Sequence, residues 1–167
     1  TIGIGGEESA GASFLKKDGR VWTTDKDGMI MALLGMEIMA VMGKSALKMA
    51  GESVEEFGNP KFGRIDAPCK KEQKQILKQM SAELITATSV DEDPITNIRT
   101  TSLYNDMPID GVRVETDKGW FVARPSGTED LYKIYGESYK GDLGLVALLT
   151  AGEEIVNAAL NGTIEIE

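Results

Sequence analysis

The apolar run from Met29 to Met42, broken mainly by Gly35 and Glu37, constrains this chain more than any other stretch. It falls short of the roughly 20 residues that a helix needs to cross a bilayer. Apolar on almost every side, it predicts a helix buried within protein rather than one lying at a surface. Thr24 or Asp25 stands where a cap for its first turn is needed, and Gly43 stands where it should end. The six methionines between Met29 and Met49 read as core filler, because a flexible thioether fits irregular gaps. Ser53 and Glu56 have capping-box spacing and predict a further short helix near Phe57.

Gly58-Asn59-Pro60 is the best break in the chain. Beyond it the pattern changes. Phe62 to Ala67 predicts a strand, and Lys70 to Met80 a charged helix with Ile76, Leu77 and Met80 on one side. The lysine-rich start of that helix reads as a solvated face. Leu84 to Val90 reads as extended, and Asp91 to Pro94 as an acidic turn. Val112 to Glu115 and Trp120 to Arg124, joined by Thr116-Asp117-Lys118-Gly119, predict a β-hairpin. Leu131 to Ser138 alternates like a half-buried strand, and Leu143 to Leu160 closes the chain as an amphipathic helix. The second part is therefore expected to be α+β, a small, mainly antiparallel sheet with helices on one side.

Chemistry is narrowed by what is missing. No histidine occurs in the 167 residues, and Cys69 is the only cysteine. Histidine-based triads, histidine general bases, His–Cys zinc sites and an internal disulfide are all excluded. Any reaction must run on carboxylates, Lys, Arg, Ser or Thr. A formal charge of −9 argues against nucleic acid or an anionic membrane as partner, since those need a basic face. A single phosphate is another matter, because a few local groups set the charge of a pocket. The lone thiol is compatible with the cytoplasm.

Two segments carry candidate chemistry. Arg124-Pro125-Ser126-Gly127-Thr128-Glu129 falls between two expected strands. Arg124 offers a permanently charged, forked donor that fits a phosphate. Ser126 and Thr128 offer hydroxyls, and Gly127 allows close backbone approach. Taken alone, such a stretch reads first as a polar turn between strands. Glu129 and Asp130 would oppose an anion unless they hold Arg124 or point away. The second segment, Gly6-Glu7-Glu8-Ser9-Ala10-Gly11, puts carboxylates and a hydroxyl where they could accept hydrogen bonds from sugar hydroxyls. It is equally an acidic solvated turn. Its two adjacent carboxylates fall short of a Mg²⁺ or Ca²⁺ cage, so no metal ligands are assigned.

In this order the two segments resemble those of the α-D-phosphohexomutases. Gly5-Gly6-Glu7-Glu8-Ser9-Ala10-Gly11-Ala12-Ser13-Phe14-Leu15 resembles the sugar-binding loop of that family's third domain. Arg124 to Asp130, continued by Tyr132-Lys133-Ile134-Tyr135-Gly136-Glu137-Ser138, resembles the phosphate-binding loop and next strand of its fourth. Thr24-Asp25-Lys26-Asp27-Gly28 is similar to a segment that follows the sugar loop. The resemblance implies a partial α/β third domain over residues 1–57 and a complete fourth domain over 58–167.

By the same resemblance Glu7 and Ser9 would grip sugar hydroxyls. Arg124, Ser126, Gly127 and Thr128 would hold the phosphate that is not transferred. Lys26 matches a family lysine near the reacting end of the substrate, with a phosphate contact or proton transfer as its role. Glu-Glu-Ser at residues 7–9 is similar to the phosphoglucomutase branch, whereas phosphoglucosamine mutases tend to carry Glu-Gln-Ser. The implied activity is interconversion of glucose 1-phosphate and glucose 6-phosphate, with Mg²⁺ and glucose 1,6-bisphosphate as cofactors of the full-length enzyme. The family's phosphoserine loop and its aspartate-rich Mg²⁺ loop do not occur in this sequence. Alone, the chain is expected to be inactive, its partners being a phosphorylated hexose and missing N-terminal domains. The Met-rich helix of a truncated third domain would then be exposed. The alternatives are a non-catalytic sugar-phosphate binding module and a different phosphohexomutase such as a phosphoglucosamine mutase.

Overall fold

A computed structural model of the chain describes every residue except 1–2, 7–10, 23–25 and 163–167. It divides into two compact units, Thr1–Phe57 and Gly58–Glu167.

In the first unit, β1 (Ile4–Gly6) pairs antiparallel with β2 (Ala12–Phe14), Gly5 lying opposite Ser13. A turn follows in which Asp18 accepts from the Arg20 backbone N–H at 3.0 Å and pairs with its guanidinium at 2.6 Å. Helix α1 (Gly28–Met42) begins one residue after Asp27, whose carboxylate accepts from the N–H groups of Met29 and Ile30. The expected cap at Thr24 or Asp25 is thus replaced by Asp27, the residue that stands one position before the first helical turn. Gly43, at φ 63°, ends the helix through a bond from its N–H to Met39 O, as the sequence suggests.

Helix α2 (Ala46–Phe57) also starts earlier than the sequence implies. Ser45 Oγ accepts from Lys48 N–H at 3.2 Å, the bond of a helix N-terminus. Ser53 is inside the helix and donates back to Met49 O at 3.1 Å, so Ser53-Glu56 caps nothing. The larger correction concerns α1, which buries no residue. Met29, Leu33 and Val41 are 79%, 60% and 78% exposed, and Ala12 is the one buried residue among those described in this unit. Two short strands and two helices do not supply a layer to cover an all-round apolar helix.

The second unit has what the first lacks. Its elements are β3 (Lys61–Pro68), α3 (Lys71–Lys78), β4 (Ser89–Val90), β5 (Asp93–Thr101), β6 (Pro108–Thr116), β7 (Gly119–Pro125), β8 (Leu131–Ser138) and α4 (Gly141–Leu160). The six strands form one antiparallel sheet in the order β3-β8-β7-β6-β5-β4. The fold of the chain is α+β. The stretch expected to be extended from Leu84 instead turns through a 3-10 segment, Ala82–Leu84, and pairs only at Ser89–Val90. The acidic turn is tighter than expected. Asp91 and Glu92, at φ 50° and 64°, make it alone, and β5 begins at Asp93. Strand β5 itself is not anticipated by the sequence reading.

One face of the sheet is the core. Val112, Val114, Phe121, Ala123 and Ile134 are completely buried with Leu77 of α3 and Val156 of α4. Helix α4 comes close because Gly63 and Gly136 face each other across β3 and β8, beneath Leu145 and Leu149. A side chain at either glycine would meet those leucines at 3.1 Å. By length and hydropathy α4 could cross a bilayer, yet its Leu148, Gly152 and Val156 are buried against the sheet. The opposite face carries Arg64, Trp120, Arg124, Lys133 and Tyr135, and it holds the site.

Candidate functional site

Strands β7 and β8 pair with Arg124 opposite Lys133 and Val122 opposite Tyr135. Arg64 of β3 is opposite Tyr135 from the other side. Residues directly across a ladder, or two apart along a strand, share a face. Arg64, Arg124, Lys133 and Tyr135 therefore stand together on the face turned away from the core.

The loop between these strands is closed by Ser126. Its N–H donates to Leu131 O at 2.8 Å, while its hydroxyl accepts from Glu129 N–H at 3.2 Å. Gly127 and Thr128 are left exposed at the tip. Gly127 does not adopt a left-handed conformation, and a Cβ on it would meet no atom of the described residues within 4 Å. Nothing among the described residues requires glycine there.

Across from the loop, Pro108, Ile109, Asp110 and Lys78 form the other wall of a cleft of about 530 Å³, with Lys133 and Tyr135 between. A bulge shapes that wall. Asp110 is left-handed at φ 54°, and pairing of β6 with β7 begins only at Val112 opposite Ala123. Gly111 makes the close approach possible, because a Cβ would fall 2.2 Å from Ala123 O and 2.7 Å from Arg124 Cβ. Asp110 is held by Lys78 at 3.3 Å.

The charges arrange themselves in a way the sequence left open. Glu129 pairs with Lys133 at 2.9 Å, and Asp130 with Lys74 at 3.1 Å. Lys74 Nζ also donates to Glu129 O, and Cys69 N–H donates to Asp130 O at 3.0 Å. The hydrogen bond from Lys133 holds the Glu129 carboxyl below its usual range, and Glu129 raises Lys133 in turn. Both loop carboxylates are therefore engaged by lysines. Among the described residues Arg124 has no carboxylate partner, and its guanidinium carbon lies 6.0 Å from the centre of the Tyr135 ring.

Of the residues singled out from the sequence, Arg124, Ser126, Gly127 and Thr128 line this one cleft. Glu7 and Ser9 lie outside the described residues. Lys26 is in the first unit, exposed and immediately before the Asp27 cap. Sequence reasoning missed Lys74, Lys78, Asp110, Lys133 and Tyr135 as parts of the site. Lys74 is the plainest miss, since its side chain is only 14% exposed and is no solvated face. The available signal was the alternation Lys133, Tyr135 along β8, which places both beside Arg124 once the hairpin register is known. Among the described residues no three His, Cys, Asp or Glu side chains converge on a point that could hold a metal ion.

Comparison with known proteins places the chain in a family. Residues 1–57 match the family model for the phosphoglucomutase/phosphomannomutase alpha/beta/alpha domain III, and residues 65–144 match that for the C-terminal domain. The chain belongs to the phosphoglucomutase/phosphomannomutase family. A phosphoglucomutase from Komagataeibacter xylinus is 46% identical over 158 residues, covering 95% of this chain and 28% of that protein. A probable phosphoglucosamine mutase from Pyrococcus abyssi is 26% identical, over 95% of this chain and 30% of its own length. A crystal structure of a phosphoglucomutase/phosphomannomutase family protein from Burkholderia thailandensis shares the fold, with a TM-score of 0.58 and 22% identity. That match covers 95% of this chain and 29% of the other. The chain thus spans less than a third of the length of these relatives.

Proposed function

We propose that this chain is the substrate-holding end of a phosphoglucomutase. Such an enzyme interconverts glucose 1-phosphate and glucose 6-phosphate through glucose 1,6-bisphosphate. Arg124, Ser126, Gly127 and Thr128 anchor the phosphate that is not being transferred. Glu7 and Ser9 grip the sugar, and Lys26 serves near the reacting end; these three assignments rest on resemblance. The phosphoserine and Mg²⁺ loops belong to upstream domains of the whole enzyme. The described residues offer Mg²⁺ no donor set.

The observation that carries this reading is the unneutralised guanidinium of Arg124 at the cleft, while Glu129 and Asp130 are both taken by lysines. A site built for a polar turn would have no reason to keep its arginine free of the two acids beside it. The open space above Gly127 supports the same reading, because the chain needs no glycine there unless something else approaches the backbone. The greater identity to a phosphoglucomutase than to a phosphoglucosamine mutase favours glucose over glucosamine phosphates.

The phosphate anchor acts by position and charge. It holds one end of the hexose while the other end reacts, and after the bisphosphate reorients it holds the second phosphate in the same place. Because the anchor binds ground state and transition state alike, its loss should appear chiefly in KM. In the full-length enzyme, Arg124→Ala should raise KM about ten- to a hundred-fold, the range for a lost charged hydrogen-bond donor. Steady-state kinetics indistinguishable from the parent would remove the assignment.

A further inference from the structure

We infer that Tyr135 is a positioning residue, one that orients the Arg124 guanidinium without cancelling its charge. The inference rests on the phosphate-anchor reading of Arg124.

An arginine at the end of a strand can be held in two ways. A carboxylate partner fixes the guanidinium but neutralises the charge that an anion needs. An aromatic face fixes it through the ring quadrupole and leaves both charge and N–H donors available. The two arginines that flank Tyr135 show both devices around one ring. Arg64 lies 5.9 Å from the ring centre and is also paired with Asp66 at 2.9 Å. Arg124 lies 6.0 Å from the same centre and has no carboxylate partner among the described residues. Phe62 backs the ring at 6.4 Å, tilted by 34°. The ring is half-buried and anchored by ladder pairing to both neighbouring strands, so it is a fixed shelf rather than a mobile neighbour. Without it, the guanidinium of an exposed arginine regains its rotamer freedom, which binding must then remove.

The test has a readout that needs no ligand. In the 167-residue chain, NMR should show the Arg124 side-chain protons shifted upfield by the Tyr135 ring. Tyr135→Phe should keep that shift, and Tyr135→Leu should abolish it. Random-coil shifts for Arg124 in the unsubstituted chain would overturn the inference. The second arm titrates glucose 6-phosphate by the same NMR signals. Tyr135→Leu should weaken binding about three- to five-fold, as expected for an exposed cation–π contact, with rescue by Tyr135→Phe. In an Arg124→Ala background the same substitution should have no further effect. Equal weakening in both backgrounds would mark Tyr135 as merely structural and sink the proposal. If Arg124→Ala itself leaves affinity unchanged, or the unsubstituted chain does not bind, the phosphate-anchor reading fails first and takes this inference with it.

Discussion

The two units of this chain spend their apolar residues in opposite ways. The second unit buries its apolar residues between a six-stranded sheet and two helices, with Phe121, Val112, Val114 and Ile134 fully enclosed. The first has the most apolar helix of the two and buries none of it. Hydrophobic composition therefore does not make a core. A core needs a second layer within reach, and among the described residues only those of the second unit supply one. The candidate site follows the same division, because the cleft beside Arg124 is lined by residues of the unit that has a core.

The sharpest test of this contrast is a pair of truncations. Phe121→Ala should cost the second unit about 3–5 kcal/mol, read from its urea midpoint. Ile38→Ala on α1 should leave that midpoint within about 0.5 kcal/mol. A large loss from Ile38→Ala would show that α1 is buried after all. Next in size is Gly111→Ala. Its methyl would press on Ala123 O and the Arg124 backbone, and overpacking of this kind costs about 1–3 kcal/mol. Phosphate affinity should fall with it, because the bulge shapes the cleft wall.

A smaller effect is expected at the start of α1. Asp27→Ala removes the bonds to Met29 and Ile30, worth about 1 kcal/mol to a helix. With no burial to compensate, the loss should appear as reduced helical circular dichroism, while the second unit unfolds as before. Unchanged helicity would mean that α1 is held by packing.

The smallest effect is electrostatic. Glu129 is depressed and Lys133 raised, so their pair is fully formed between the two ordinary pKa values. It is lost as pH falls through the depressed Glu129 value, and again as pH rises through the raised Lys133 value. Glu129 is exposed and Lys133 partly exposed, so the change belongs in a titration curve rather than in stability. NMR titration of the Glu129 carboxyl should give a midpoint below that of an ordinary glutamate, returning upward in Lys133→Gln. A midpoint that ignores Lys133→Gln would show that the pair does not set it.

Much of the fold was legible beforehand. The Gly58-Asn59-Pro60 break, strands β3, β7 and β8, helices α3 and α4 and the Gly43 stop each carry a local signal in spacing or backbone chemistry. Strand β5 was not read, since Asp93-Pro94 and the polar residues that follow look like a loop until Ile95 and Ile98 are seen to face the core. Caps were displaced by two to eight residues, because Ser, Thr and Asp recur near each helix start and only backbone geometry selects among them.

The site was half legible. Arg124, Ser126, Gly127 and Thr128 are contiguous, so local chemistry offered them as a candidate, and the family resemblance rather than composition favoured them over a polar turn. Lys74, Lys78, Asp110, Lys133 and Tyr135 come from α3, β6 and β8, and no local pattern joins them. By itself the sequence determined which groups could meet an anion and which reactions were excluded, because residue types and their absence are fixed by the chain. Only the tertiary structure decided that Glu129 and Asp130 answer to lysines rather than to Arg124. Pairing depends on strand register and helix placement, and those are set by burial on the far side of the sheet.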